Sequence, residues 1–145
     1  MVREILRYHP ELETRDRDGK TVLFAAEENG YHDEEGARLE CIRLLADAGA
    51  NVDARDGHGN TPLHETVLPE VYEELLKRGA DVNARNDDGE TPIFTTYEPA
   101  ALPLFIAHGA DLTIRNNDGK TAAQFIKQNE PQLMDAYTKA FQDFR

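Results

Sequence analysis

His64 is followed directly by Glu65, a pairing of imidazole and carboxylate that acid–base catalysis and metal binding both use. The wider sequence points elsewhere. His64 ends the string Thr61-Pro62-Leu63-His64, and the matching position in sister strings is filled by Phe24, Phe94 and Gln124. Groups so unlike in chemistry share no catalytic role, so His64 reads as a structural residue. Cys41 lies beside Leu39, Ile42 and Leu45 and reads as a small core residue, with no partner histidine at a recognisable position. As the single cysteine, it excludes an internal disulfide framework and a multi-thiolate metal site. The histidines at 9, 32, 58, 64 and 108 show no close pairing of the kind zinc uses. Asp87-Asp88-Gly89 resembles part of a calcium loop but lacks the later glutamate and the regular ligand spacing. No Gly-rich phosphate loop or serine elbow is present. The expectation is a chain with no catalytic residues, no cofactor and no metal.

What remains is surface recognition, and its residues are set by internal repetition. The string Gly49-Ala50-Asn51-Val52-Asp53-Ala54-Arg55-Asp56 returns 30 residues later as Gly79 to Asn86, and after 30 more as Gly109 to Asn116. A degenerate copy, His9 to Asp16, lies 40 residues before the first. A second block follows each copy: Asp18-Gly19-Lys20-Thr21, His58-Gly59-Asn60-Thr61, Asp88-Gly89-Glu90-Thr91 and Asp118-Gly119-Lys120-Thr121. Its glycine allows a tight turn at positive φ. The threonine then takes a helix N-cap position, its hydroxyl accepting an orphan N–H, with Pro62 and Pro92 at the first helical position. A second helix carries Leu44-Leu45, Leu75-Leu76 or Phe105-Ile106 and stops at Gly49, Gly79 or Gly109 as left-handed C-caps.

Units built in this way resemble ankyrin repeats: Thr61-Pro62-Leu63-His64 matches the family's T-P-L-H, and the three Gly-Ala-(Asp/Asn)-(Val/Leu) strings match its repeat end. The resemblance covers nearly all of residues 2–130. It implies an all-α solenoid of stacked antiparallel helix pairs with projecting β-hairpin-like turns, and binding of other proteins through the concave side. The expected organisation is one domain over 1–145, with an N-terminal half-repeat (1–15), a first repeat carrying an acidic insert (16–55), second and third repeats (56–85, 86–115) and a C-terminal capping repeat (116–145).

The usual ankyrin repeat has about 33 residues, so the 30-residue copies have lost three, and counting places the loss between the two helices, at Thr66-Val67-Leu68-Pro69 and Thr96-Tyr97-Glu98-Pro99. The first copy instead carries an insert within Glu28 to Ala37. Pro103 requires the second helix of its unit to start late, near Ala100 or Ala101. Leu133, Met134, Tyr137, Phe141 and Phe144 fall on one helical stripe, expected to cap the C-terminal end. The chain begins inside a second helix, Val2 to Tyr8. Either a cap is missing there, or Ile5 and Leu6 pack on something outside the chain, and weak self-association through that end is the expected consequence.

By register, one concave strip collects Arg15, Arg17, Asp18 and Lys20, then Arg55, His58, Asn60 and Glu65, then Arg85, Asp87, Asp88, Glu90, Thr95 and Tyr97, and finally Arg115, Asn117, Asp118 and Lys120. The column Arg15, Arg55, Arg85, Arg115 has two open readings: interface anchors, or a ladder of salt bridges to the acids beside each tip. Alanine at Arg55, Arg85 or Tyr97 is expected to weaken binding while leaving stability nearly unchanged. Tyr97 equally packs inward or meets a partner.

The 145 residues carry 28 acids and 16 Lys plus Arg, a formal charge of −12. That sign opposes nucleic acid and favours a basic protein partner. Met1 to Arg7 carries charges where a signal peptide needs an apolar run, and no stretch is long and apolar enough to span a membrane. The expected address is the cytoplasm. The expected function is a non-catalytic interaction module, a stoichiometric inhibitor or immunity-type protein that occludes a basic partner such as a toxin; the alternative is an adaptor or assembly subunit linking two proteins.

Overall fold

The computed structural model describes residues 11–28 and 36–143. The N-terminal segment Val2 to Tyr8, most of the acidic insert and Phe144 lie outside the described residues. The helices in order are α1 (Val22–Glu28), α2 (Ala37–Asp47), α3 (Pro62–Glu65), α4 (Pro69–Lys77), α5 (Pro92–Thr95), α6 (Ala101–Ala107), α7 (Ala122–Asn129) and, after a short 3₁₀ turn at Pro131–Leu133, α8 (Met134–Asp143). First helices stack in one row, α1 on α3 on α5 on α7, and second helices stack in another, α2 on α4 on α6 on α8. This is the solenoid of helix pairs that the repeated strings imply. The described residues form no sheet, and the Arg115–Thr121 bridge is isolated.

Apolar side chains at helical spacing explain both rows. Leu23, Leu63, Ile93 and Ala122 come from first helices; Ile42, Leu45, Val71, Tyr72, Leu75, Leu102 and Phe105 come from second helices, and together they form one buried core. The second helices stop where the glycines require. Gly49, Gly79 and Gly109 have φ of 97°, 86° and 86°, and the next N–H reaches back to Leu45, Leu75 and Phe105 carbonyls at 3.0, 3.0 and 2.9 Å. Only glycine takes this left-handed position without strain.

Helix α6 starts at Ala101, as Pro103 demands. That proline lies in the first turn, where no N–H is needed. At the C-terminal end, Leu133, Tyr137 and Ala140 are buried, but Phe141 is exposed. The expected stripe is therefore corrected: α8 turns Ala140 inward to the core and Phe141 outward. Cys41 is half-buried on α2. Across the second helices, Glu74 takes Arg43 at 3.0 Å and Arg78 at 2.6 Å, and Arg78 also meets Asp47 at 2.7 Å. The Arg78 hydrogen bond outweighs burial and holds the Glu74 carboxyl below its usual pKa. This face is occupied with internal ion pairs.

The three-residue loss falls differently from the expectation. The connector between α3 and α4 is Thr66–Leu68, and the deficit is taken from the helix before it: α3 and α5 have 4 residues each, against 7 in α1 and 8 in α7. After one turn the chain goes extended, at Thr66 and again at Thr96. A one-turn helix satisfies few of its own carbonyls. Tyr72, 1% exposed on α4, makes up part of the shortfall. Its hydroxyl donates to the Thr66 carbonyl and lies 3.0 Å from Thr96 Oγ1, while its ring meets Phe105 edge-on at 5.2 Å. Thr95 Oγ1 donates to the His64 carbonyl at 2.9 Å. The two clipped connectors are thus bracketed together from beneath.

Candidate protein-binding surface

His64 is built into this frame. It is 5% exposed, its Nδ1 accepts the Thr61 N–H at 3.1 Å, and its Nε2 lies 3.0 Å from the Glu90 carbonyl. Acceptance at Nδ1 places the ring proton on Nε2, which donates to the next repeat. Burial depresses the His64 pKa, and Arg55 adds to that against the smaller opposing pulls of the Glu90 carbonyl and Asp56. The ring is neutral and serves as a link between repeats. Gln124 does half of this job in the last unit: its Oε1 accepts the Thr121 N–H at 3.0 Å, and Thr121 Oγ1 accepts the Gln124 N–H at 3.5 Å. Thr91 takes the N-cap position without a side-chain cap, a departure from the expected hydroxyl capping: the Phe94 N–H donates to the Thr91 carbonyl at 2.8 Å.

The turn tips are locked in the same way each time. Asp16, Asp56, Asn86 and Asn116 each use one oxygen to accept the N–H groups two and four residues on, at 2.8 to 3.1 Å. Neighbouring tips join through backbone bonds: Gly57 N–H to the Asp18 carbonyl at 2.8 Å, Asp87 to His58 at 3.0 Å and Asn117 to Asp88 at 2.9 Å. The close approach explains why Gly57 and Gly59 carry no side chain, since a Cβ at Gly57 would lie 2.9 Å from the Asp18 carbonyl oxygen.

The arginine column is a ladder to carbonyls, which corrects the salt-bridge reading. Arg15 donates to the Gly19 carbonyl at 2.7 Å and to the Arg55 carbonyl. Arg55 reaches Gly59 at 3.0 Å and Arg85 at 2.5 Å. Arg85 reaches the Arg115 carbonyl at 3.0 Å, and Arg115, the last of the column, turns to Gly119 at 2.7 Å and Gln124 at 3.4 Å. Arg15, Arg55 and Arg115 thus tie their own tips, and Arg15, Arg55 and Arg85 tie the following repeat. The side chains are exposed as well, so the column is both strut and surface.

Two depressions lie along the strip. One is lined by Arg15, Arg17, Lys20, His58 and Glu65 with their tip neighbours. The other, a trough of about 270 Å³, brings together Asn60, His64, Glu65, Thr66, Val67, Glu90, Phe94, Thr95, Tyr97 and Phe125. Of the sequence-predicted residues, Arg15, Arg17, Lys20, His58 and Glu65 share the first; Asn60, Glu65, Glu90 and Tyr97 share the second. Arg55, Arg85, Arg115, Asp87, Asp88 and Asn117 line neither and form the tip ladder. Tyr97 is resolved as an outward residue, 66% exposed. Val67, 56% exposed, is the residue the sequence reading missed. Its signal was present: it sits 30 positions before Tyr97, at the same place in the preceding clipped unit.

Lys20 lies 3.7 Å from Glu65 and 5.9 Å above the Phe24 ring. Glu65 also accepts from the Asn60 amide at 3.1 Å. Glu90 is half-buried and accepts from the Asn116 amide at 3.2 Å. Burial raises the Glu90 pKa, and Asp88 and Asp118 add to the rise against that amide bond. Among the described residues, no three His, Cys, Asp or Glu gather as a metal would require, and no helix is long and apolar enough to cross a membrane.

No curated protein matches the chain. A family model described as ankyrin repeats, in three copies, matches residues 1–86. That match spans more than half of the 145 residues, and the same turn, cap and ladder geometry continues beyond it through α7. The chain therefore belongs to the ankyrin-repeat family, a family of protein–protein interaction modules.

Proposed function

We propose that the protein works by binding, without catalysis, one basic protein partner across the concave strip and covering the partner's functional surface, as a stoichiometric inhibitor or immunity-type protein in the cytoplasm. The observation that carries this reading is the pair of outward apolar side chains, Val67 and Tyr97, set among Glu65 and Glu90 on the side of the first helices. Exposed apolar groups rimmed by charge mark interaction sites. The opposite row of second helices has Arg43, Asp47, Glu74 and Arg78 tied to one another, which favours a single binding face over the two faces of an adaptor. A formal charge of −12 speeds encounter with a basic partner. The strip residues Arg17, His58, Asp87, Asp88 and Asn117 form the rim of the contact in this reading.

The test is to isolate the partner, titrate it with the protein and follow its own activity. Inhibition should be complete at one-to-one stoichiometry, and association should slow with added salt far more than dissociation speeds. Undiminished partner activity together with simultaneous capture of a second protein would replace the inhibitor by an adaptor.

A further inference from the structure

Val67 and Tyr97 stand at the same position of consecutive clipped repeats and line one trough with Phe94 and Phe125, whose rings pack at 5.7 Å. Its depth follows from the sequence. Helices α3 and α5 end after one turn, so the wall that further turns would build is missing, and the Tyr72 bracket fixes the two connectors side by side in its place. Room of about 270 Å³ takes long side chains but not a helix, whose diameter with side chains is about 10–12 Å.

The charges in the trough have one sign. Among the described residues, its lining holds the carboxylates Glu65 and Glu90 and no lysine or arginine. Lys20 reaches Glu65 only from outside, at 3.7 Å. Glu90 receives a neutral amide and faces Asp88 and Asp118. Among the described residues no ion pair reaches Glu90, and a cation brought by a partner would supply the counter-charge. The ring of Tyr97, exposed and lining the same trough as both acids, offers that cation a π face.

Resting on the concave-face reading above, we propose that the trough holds an extended segment of the partner protein in which an arginine or lysine adjoins an aliphatic residue. The cation sits between Glu65 and Glu90 against Tyr97. The aliphatic group packs on Val67.

A phage-displayed random-peptide library, panned on the full chain, supplies the probe. Enriched peptides should pair Arg or Lys with Leu, Ile or Val, and synthetic copies should bind about tenfold more weakly to Tyr97→Ala and to Glu90→Gln. Lys139→Gln, on the exposed side of α8, should bind as wild type, and thermal melts confirm that each variant is folded. Amide shifts should concentrate at Val67 and at Thr95 to Glu98. Failure to enrich any peptide, enrichment of acidic ones, or full affinity in both trough variants overturns the proposal. Shifts confined to the tips near His58 and Asp87 overturn the trough but keep the concave face; shifts confined to α2 and α4 overturn both.

Discussion

Tyr72→Phe isolates the device that lets the clipped repeats close. The substitution keeps the ring, and so keeps its edge-on contact with Phe105 at 5.2 Å. It removes one hydroxyl that donates to the Thr66 carbonyl and lies 3.0 Å from Thr96 Oγ1. The two losses are unequal. Thr96 Oγ1 has the Glu98 carbonyl in reach at 3.5 Å and can turn to it, whereas Thr66 is buried and its carbonyl is left without that donor. An orphaned buried acceptor costs about 1–3 kcal/mol, so the expected loss is about 2 kcal/mol, or a fall in Tm of about 4–8 °C for a chain of this size. Urea denaturation gives the loss directly. Tyr137→Phe is the matched control: Tyr137 is buried but makes no hydrogen bond among the described residues, and its loss should stay within about 0.5 kcal/mol. Equal, small effects in the two variants would refute the bracket and with it the account of the trough's shape.

His64 predicts a pH dependence. Its folded pKa lies below the ordinary 6.5, so its contribution is complete above about pH 6.5 and is lost as pH falls below that value toward the folded pKa. His64→Gln should flatten this part of the stability curve, measured by urea titration from pH 7 downward. Arg55→Ala should cost about 0.5–1.5 kcal/mol through its bonds to the Gly59 and Arg85 carbonyls, more than an exposed side chain of no structural use, and equilibrium denaturation will show it. Leu75→Ala, from a fully buried position, should cost about 2–5 kcal/mol by the same assay, because a cavity remains.

The repeat frame was legible because its signals are local and recur. Glycine at φ of 73° to 97° on both turns, proline at the first helical position and a T-P-L-H string need only short-range geometry to be read. What escaped needed knowledge of neighbours. A threonine hydroxyl and a tyrosine 24 residues apart give no sign in sequence that they meet, so nothing there singles out Tyr72. The loss of three residues was counted correctly but assigned to the connector, since counting cannot tell a shortened helix from a shortened loop. Acids beside each tip suggested carboxylate partners for the arginines. The carbonyls of the following repeat, invisible to a side-chain reading, are closer to the guanidinium forks and take them instead. Val67 was hidden by its small size beside the conspicuous Tyr97.

The central claim is tested most directly by comparative capture. Tagged wild type, Tyr97→Ala, Glu90→Gln and Lys139→Gln are used as baits in an extract of the source cell, and bound proteins are quantified by mass spectrometry. The account predicts one basic protein bound in equal amount by wild type and Lys139→Gln, and strongly reduced on Tyr97→Ala and Glu90→Gln. A partner held equally by all four baits, or one as acidic as this chain, would contradict it.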